Sequence, residues 1–357
     1  MGQEMATNQA ASSNVLDTEK FVQDILRSVD RDREREIVAR RFGLFDRRET
    51  LEQIGELLGI TRERVRQLEK SVVARFKATA EQGDLPHIKD VETTLLRQLH
   101  QMGEAARISD LSAAVTAENS KTDQSRVVFL AMLCPRLSIV EEDEQYFQAV
   151  GVKGVRDSSA MKADIVKLQT AIEKAGKPLT TSDAMKATGL DDLAQTNALL
   201  SISKSLATLN SHWGLIKWPM VNPKNIRDKI YVILKENGKH MHFNEIAEAI
   251  KKSDFKRKDV TTQAIHNELI KDKRFVLIGR GIYALKEWGY SKGTVADIIT
   301  EVLKQAGEPL HRDEIVRRVL QSRFVKETTI LLNLQGKTQF KRVAKATYTL
   351  DEAPVAE

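Results

Sequence analysis

Cysteine is nearly missing from these 357 residues, and Cys134 stands alone. A single thiol excludes an internal disulfide framework and any Cys-x-x-Cys metal site. Its neighbours Leu130, Met132 and Leu133 predict that it is buried. Proline and glycine are sparse, and aromatics make up only 5% of the chain against 30% charged residues. That balance suits small helical modules with modest cores and argues against one large α/β enzyme domain. No apolar run is long enough to cross a bilayer and no secretory signal is seen, so a cytoplasmic protein is expected. Walker, GxGxxG, HExxH, PD-x-D/E-x-K and HNH patterns are all missing. The expectation is therefore a non-enzymatic protein with no catalytic residues, no cofactor and no metal. His240 and His242 alternate in a strand-like step, and His311 holds nearly the same repeat position, which points to structural histidines. The acidic run Glu141, Glu142, Asp143 and Glu144 reads as a solvated turn.

What is present begins with Leu51-Glu52-Gln53-Ile54-Gly55-Glu56-Leu57-Leu58-Gly59-Ile60, followed by Thr61-Arg62-Glu63-Arg64-Val65-Arg66-Gln67-Leu68-Glu69. Ile54, Leu57 and Leu58 fall at i, i+3 and i+4 and predict one apolar helix face. Gly59 is placed to end that helix and Thr61 to cap the next. In the second helix Val65, Leu68, Val72 and Val73 point inward. Arg62 and Arg66 share an outer face, and Glu63 and Gln67 the adjacent strip. Arg reads guanine bidentately, Gln pairs with adenine and Glu accepts from cytosine, so these N-terminal turns are suited to base edges in a major groove. A solvated helix laced with salt bridges has the same composition.

Upstream lies Arg33-Glu34-Arg35-Glu36-Ile37-Val38-Ala39-Arg40-Arg41-Phe42-Gly43-Leu44. With the two segments above, residues 28–78 resemble region 4 of bacterial sigma-70 factors. The resemblance implies that Arg62, Glu63, Arg66 and Gln67 contact bases of a −35 promoter element in double-stranded DNA. It assigns Arg33, Arg41 and Arg64 to phosphates, and RNA polymerase core, through its β flap, to the partners. The family's aromatic row on a basic helix, which melts the −10 element, has no counterpart downstream.

The rest of the chain is periodic. Ile230–Ala247, Ile298–Val316 and Leu168–Met185 each read as helix, glycine, short apolar step and second helix, with a weaker copy from Leu95 to Ile108. The glycines fall at 103, 176, 238 and 307. Residues 274–285 and 340–350 close two copies with a hairpin signal, and 137–147 and 213–218 are looser versions. Helix, strand, helix, helix, hairpin is the order of a winged helix, so four such modules are expected, each with its own core. Gly238, His242 and the closing Arg274-to-Leu285 segment resemble the HARE-HTH winged-helix family, which includes the RNA polymerase delta subunit. In the last copy Ala344-Lys345-Ala346 replaces Gly-Arg-Gly.

The expected fold class is mainly α, a sigma region 4-like helix-turn-helix followed by tandem winged-helix-like α+β modules. Its divisions are a disordered stretch at 1–16, then 17–82, 84–156, 157–219, 220–288 and 289–351, with a tail at 352–357. The net charge is +6, and 220–288 carries 15 basic against 9 acidic residues, while 17–82 holds 15 against 14. Lys251, Lys252, Lys256, Arg257, Lys258, Lys271 and Arg280 form a candidate second basic surface. A third helix at 260–272 would expose Gln263, His266 and Asn267 beside it. Phosphate binding and a solvated lysine loop both fit that cluster. The function expected is sequence-specific DNA binding in bacterial transcription initiation, cytoplasmic and nucleoid-associated. The alternative is an RNA polymerase accessory protein whose winged helices meet protein more than DNA.

Overall fold

A computed structural model describes residues 15–255, 259–290 and 292–351. The expected disorder at 1–14 and 352–357 lies outside the described residues. Leu16 is held, its N–H donating to the Val115 carbonyl at 2.8 Å. The chain divides into two compact units between Ile216 and Lys217.

The first unit opens with α1 (Thr18–Arg27), α2 (Asp32–Phe42), α3 (Leu51–Leu58) and α4 (Arg62–Gln82). Local chemistry sets these ends. Thr50 and Gln53 form a reciprocal capping box on α3, and Gly59 ends it at φ 63°. Ile37, Ile54 and Val65, each fully buried, join α2, α3 and α4. The apolar face expected of α3 is narrower than its spacing implied: Leu57 is 55% exposed, and Ile54 carries the contact.

Next come α5 (Ile88–Gln101), β1 (Ala105–Arg107), α6 (Ile108–Val115), α7 (Lys121–Leu133), β2 (Leu137–Val140) and β3 (Ala149–Val152). The sheet order is β1-β3-β2, antiparallel throughout. The same plan recurs as α8 (Ser158–Ala175), β4 (Leu179–Thr180), α9 (Thr181–Thr188), α10 (Leu193–Ile202), β5 (Leu206–Leu209) and β6 (His212–Leu215), with order β4-β6-β5.

One core runs from Val22 through Leu44, Val72 and Phe76 to Leu95, Phe129 and Val152. A separate core for the first winged-helix-like module, expected from the repeat, is thus replaced by one shared with α1, α2 and α4. Buried Arg126 crosses that seam. Its Nε donates to the Leu44 carbonyl at 2.7 Å and its guanidinium meets Glu19 at 2.7 Å. The acidic run is exposed at all four positions, as expected of a solvated turn, and is also tied down locally. The Asp143 carboxylate accepts from the N–H groups of Gln145 and Tyr146, both at 2.8 Å, and Lys204 donates to Glu142 at 2.7 Å. Phe147 N–H donates to the Ile202 carbonyl and Lys204 N–H to that of Gln145, each at 2.8 Å, so two successive modules pair through backbone. Gly103 is required at this joint, because a Cβ there would lie 2.1 Å from the Gln195 nitrogen.

The second unit holds two more copies. One is α11 (Ile226–Asn237), β7 (Met241–His242), α12 (Phe243–Lys252), α13 (Thr262–Lys271), β8 (Phe275–Gly279) and β9 (Ile282–Leu285). The other is α14 (Val295–Ala306), β10 (Leu310–His311), α15 (Arg312–Ser322), α16 (Glu327–Gly336), β11 (Phe340–Ala344) and β12 (Thr347–Leu350). Their sheets run β7-β9-β8 and β10-β12-β11. His242 and His311 are N-caps, their Nδ1 atoms accepting from the N–H groups of Asn244 and Asp313 at 3.3 and 3.4 Å. Tyr283, Tyr348 and Trp213 are buried at matching sheet positions. The fold is therefore mainly α, a helix-turn-helix followed by tandem winged-helix-like modules. No helix among the described residues is long and apolar enough to cross a membrane.

Candidate nucleic-acid interface

The interface is built on the first turns of α4. Thr61 caps the helix, its Oγ1 accepting from Arg64 N–H at 3.2 Å. Val65 is fully buried against Ile37 and Ile54, which turns Arg62, Glu63, Arg64, Arg66 and Gln67 outward, all exposed. The α3–α4 angle depends on Gly55, where a Cβ would come within 2.7 Å of the Ile60 carbonyl oxygen. The far part of α4 is pinned to α2 by Arg75 and the buried Glu34.

The outward groups form a local network. Arg66 grips Glu63 with Nε at 2.8 Å and a second guanidinium nitrogen at 2.6 Å. Gln67 donates to Glu63 at 3.5 Å, Arg64 donates to Gln67 at 3.3 Å, and Arg62 pairs with Glu52 at 2.9 Å. Hydrogen bonds from Arg66 hold the Glu63 carboxyl below its ordinary value, and Glu63 in turn raises Arg66. The free N–H groups of this helix end add partial positive charge, which favours an anion such as a phosphate.

The residues assigned to phosphates are placed differently from one another. Arg64 is exposed beside the base-facing set. Arg33 is exposed but donates to the Leu58 carbonyl. Arg41 is half-buried, paired with Glu69 at 3.3 Å and donating to the Glu49 carbonyl at 3.4 Å. Sequence reasoning passed over Lys70. It lies four residues beyond Arg66, exposed, and the same i, i+4 spacing that singled out Arg62 and Arg66 marks it.

In the second unit Lys251 and Lys252 are exposed in the last turn of α12, Lys271 ends α13, and Arg280 lies exposed in the β8–β9 turn. Lys256, Arg257 and Lys258 lie outside the described residues. The third helix is shorter than expected, Thr262–Lys271. It exposes Gln263 and Asn267, but His266 is half-buried, its ring 5.0 Å from that of Phe243. The β8 edge is occupied: Phe324 N–H donates to the Ile278 carbonyl at 3.0 Å, and the Arg323 guanidinium donates to that of Leu277.

Residues 31–78 match the family model for sigma-70, region 4. The chain is also similar to the RNA polymerase sigma factor sigB of Arabidopsis thaliana, with 41% identity over 69 residues. That match covers 18% of this chain and 12% of the relative's length. The stretch that matches sigma-70, region 4, residues 31–78, is thus the one built on the buried Ile37–Ile54–Val65 contact and the glycine-tight turn.

Proposed function

We propose that the chain is a sequence-specific DNA-binding transcription factor that reads a −35-type promoter element and works with RNA polymerase, whose β flap is the contact the region 4 domain offers. Arg62, Glu63, Arg66 and Gln67 are the base-reading side chains, and Arg33, Arg41 and Arg64 serve phosphates. The observation that carries this reading is the exposure of those four side chains on the first turns of a helix fixed by Val65 and Gly55. The role is binding, not catalysis, in a cytoplasmic, nucleoid-associated protein. Selection from a random duplex library, with and without core polymerase, tests it. Enrichment of a TTGACA-like hexamer supports the reading, and no enrichment in either arm rejects it.

A second reading is favoured by the second unit. Residues 220–288 carry the HARE-HTH-like pattern, and their β8 edge is paired within the chain. A polymerase accessory protein would use such modules on protein surfaces. Capture of core polymerase in high salt, without duplex affinity, selects it. The basic residues Lys251, Lys252, Lys271 and Arg280 are then a solvated face.

A further inference from the structure

A cavity of about 650 Å³ opens between α4 and α7, beside β2. On α4 its wall is Lys70, Val73, Ala74 and Lys77, positions i, i+3, i+4 and i+7 of one face. Phe42, Val128, Met132 and Ile139 complete an apolar floor. Phe42 is backed by the shared core through Phe129, with ring centres 5.1 Å apart, so the floor is anchored. Two small side chains, Ala74 and Ser125, are among the lining residues of the two helical walls.

The charges around this floor do not cancel. Glu69 is taken by Arg41 at 3.3 Å, whereas Glu141, which accepts from the neutral Gln148 amide at 3.4 Å, keeps its charge and is the one lining carboxylate set against Lys70, Lys77 and Arg48. Lys70 and Lys77 form no close ion pair with a carboxylate among the described residues, although Lys70 acts on Glu63 through space. Arg48 donates its Nε to the Arg41 carbonyl at 3.2 Å, which leaves the rest of its guanidinium open. An apolar bed with surplus cations at its edge is complementary to a molecule with an apolar body and an anionic head. The volume falls among small-molecule sites, about 300–1,000 Å³.

We propose that this cavity binds a small amphipathic carboxylate, its body on the Phe42–Val73–Met132–Ile139 floor and its head group met by Lys70, Lys77 and Arg48. The site shares Lys70 with the candidate nucleic-acid face of α4, but its test uses no DNA, so the outcome is separate from the reading role. Calorimetric titration of the full chain with decanoate and with decanol tests it. Saturable one-to-one binding of decanoate is expected, with decanol weaker by about tenfold, the equivalent of one charge-assisted hydrogen bond. The double variant Lys70→Gln, Lys77→Gln, both at exposed positions, is expected to lose about the same factor for decanoate and nothing for decanol. Ala74→Trp, which fills the cavity from an exposed helix position, is expected to abolish binding of both. Equal affinity for the acid and the alcohol, unchanged binding by either variant, or no saturable binding by the wild-type chain would overturn the assignment.

Discussion

Arg66 and Glu63 hold each other on the exposed start of α4, so any base contact by Arg66 begins with loosening that pair. Magnitudes decide whether the exchange is favourable. An exposed ion pair contributes about 0–1 kcal/mol, whereas a bidentate arginine–guanine contact is worth about 1–3 kcal/mol of discrimination. The pair is thus a weak lock that orients the guanidinium without preventing release. Arg66→Ala is expected to weaken cognate binding by about 1–3 kcal/mol and relax base choice, read from dissociation constants on cognate and scrambled duplexes. Unchanged binding to all duplexes would remove α4 from the reading role. Glu63→Gln is expected to raise affinity for unrelated duplexes, because it deletes a carboxylate from the contact face. Cys134 makes a separate prediction. Its Sγ donates to the Leu130 carbonyl at 3.3 Å, and burial pushes the thiol far up. It should stay unreactive to a thiol reagent in the native state and react in one step with unfolding. At this scale the sequence was informative wherever a neighbour three or four residues away set the environment, as for Arg66 and Cys134. It was blind to Arg41, whose partner Glu69 lies on another helix.

The helix-turn-helix is defined by two small local devices. Gly55 lets the Ile60 carbonyl approach α3, and Thr61 caps α4. Thr61→Ala is expected to lower stability by about 1 kcal/mol. Gly55→Ala is expected to lower it by about 1–3 kcal/mol, since the added methyl meets backbone that has no rotamer to change. Urea midpoints measure both, and Gly55→Ala should also impair DNA binding by tilting α4. The turn at Asp143 carries a pH signature. Hydrogen bonds from the N–H groups of Gln145 and Tyr146 hold its carboxyl below the usual value of 3.8. The folded value is thus below the unfolded one. The stabilisation is present above the ordinary carboxylate range and is lost as pH falls through the lowered value. Asp143→Asn is expected to flatten the acid limb of the melting temperature below about pH 4, while leaving a pH-independent loss above it. Capping and glycine-ended helices were legible because they are contiguous patterns. The acidic turn was legible as solvated, since all four carboxylates are exposed, but its tie to Lys204, 62 residues from Glu142, lay beyond any local pattern.

At the scale of the whole chain, a periodic sequence implied beads with separate cores, and the first bead is not separate. Leu44, Val72 and Phe76 of the helix-turn-helix lie in one core with Leu95, Phe129 and Val152. Hydrophobic periodicity locates the inward face of each helix but is silent on which neighbour covers it. The seam residue Arg126 could not be found from pattern alone, since its partners Glu19 and Leu44 precede it by 107 and 82 residues. Arg126→Leu is expected to destabilise by about 1–3 kcal/mol, through the Leu44 carbonyl left without its donor. The larger consequence concerns the region 4 domain in isolation. Cutting it away from the following module exposes side chains worth about 1.5–3 kcal/mol each. Leu44, Val72 and Phe76 alone then consume much of a stability of about 5–15 kcal/mol, the normal range for a domain. Residues 15–82 are therefore expected to show no cooperative thermal transition by circular dichroism, while residues 15–216 melt as a unit. A sharp melt of 15–82 at the midpoint of 15–216 would mean that the shared core contributes nothing to the helix-turn-helix. DNA binding should follow the same division, so a duplex that binds 15–216 and fails to bind 15–82 reports the loss of the platform beneath α4, with its reading residues unchanged.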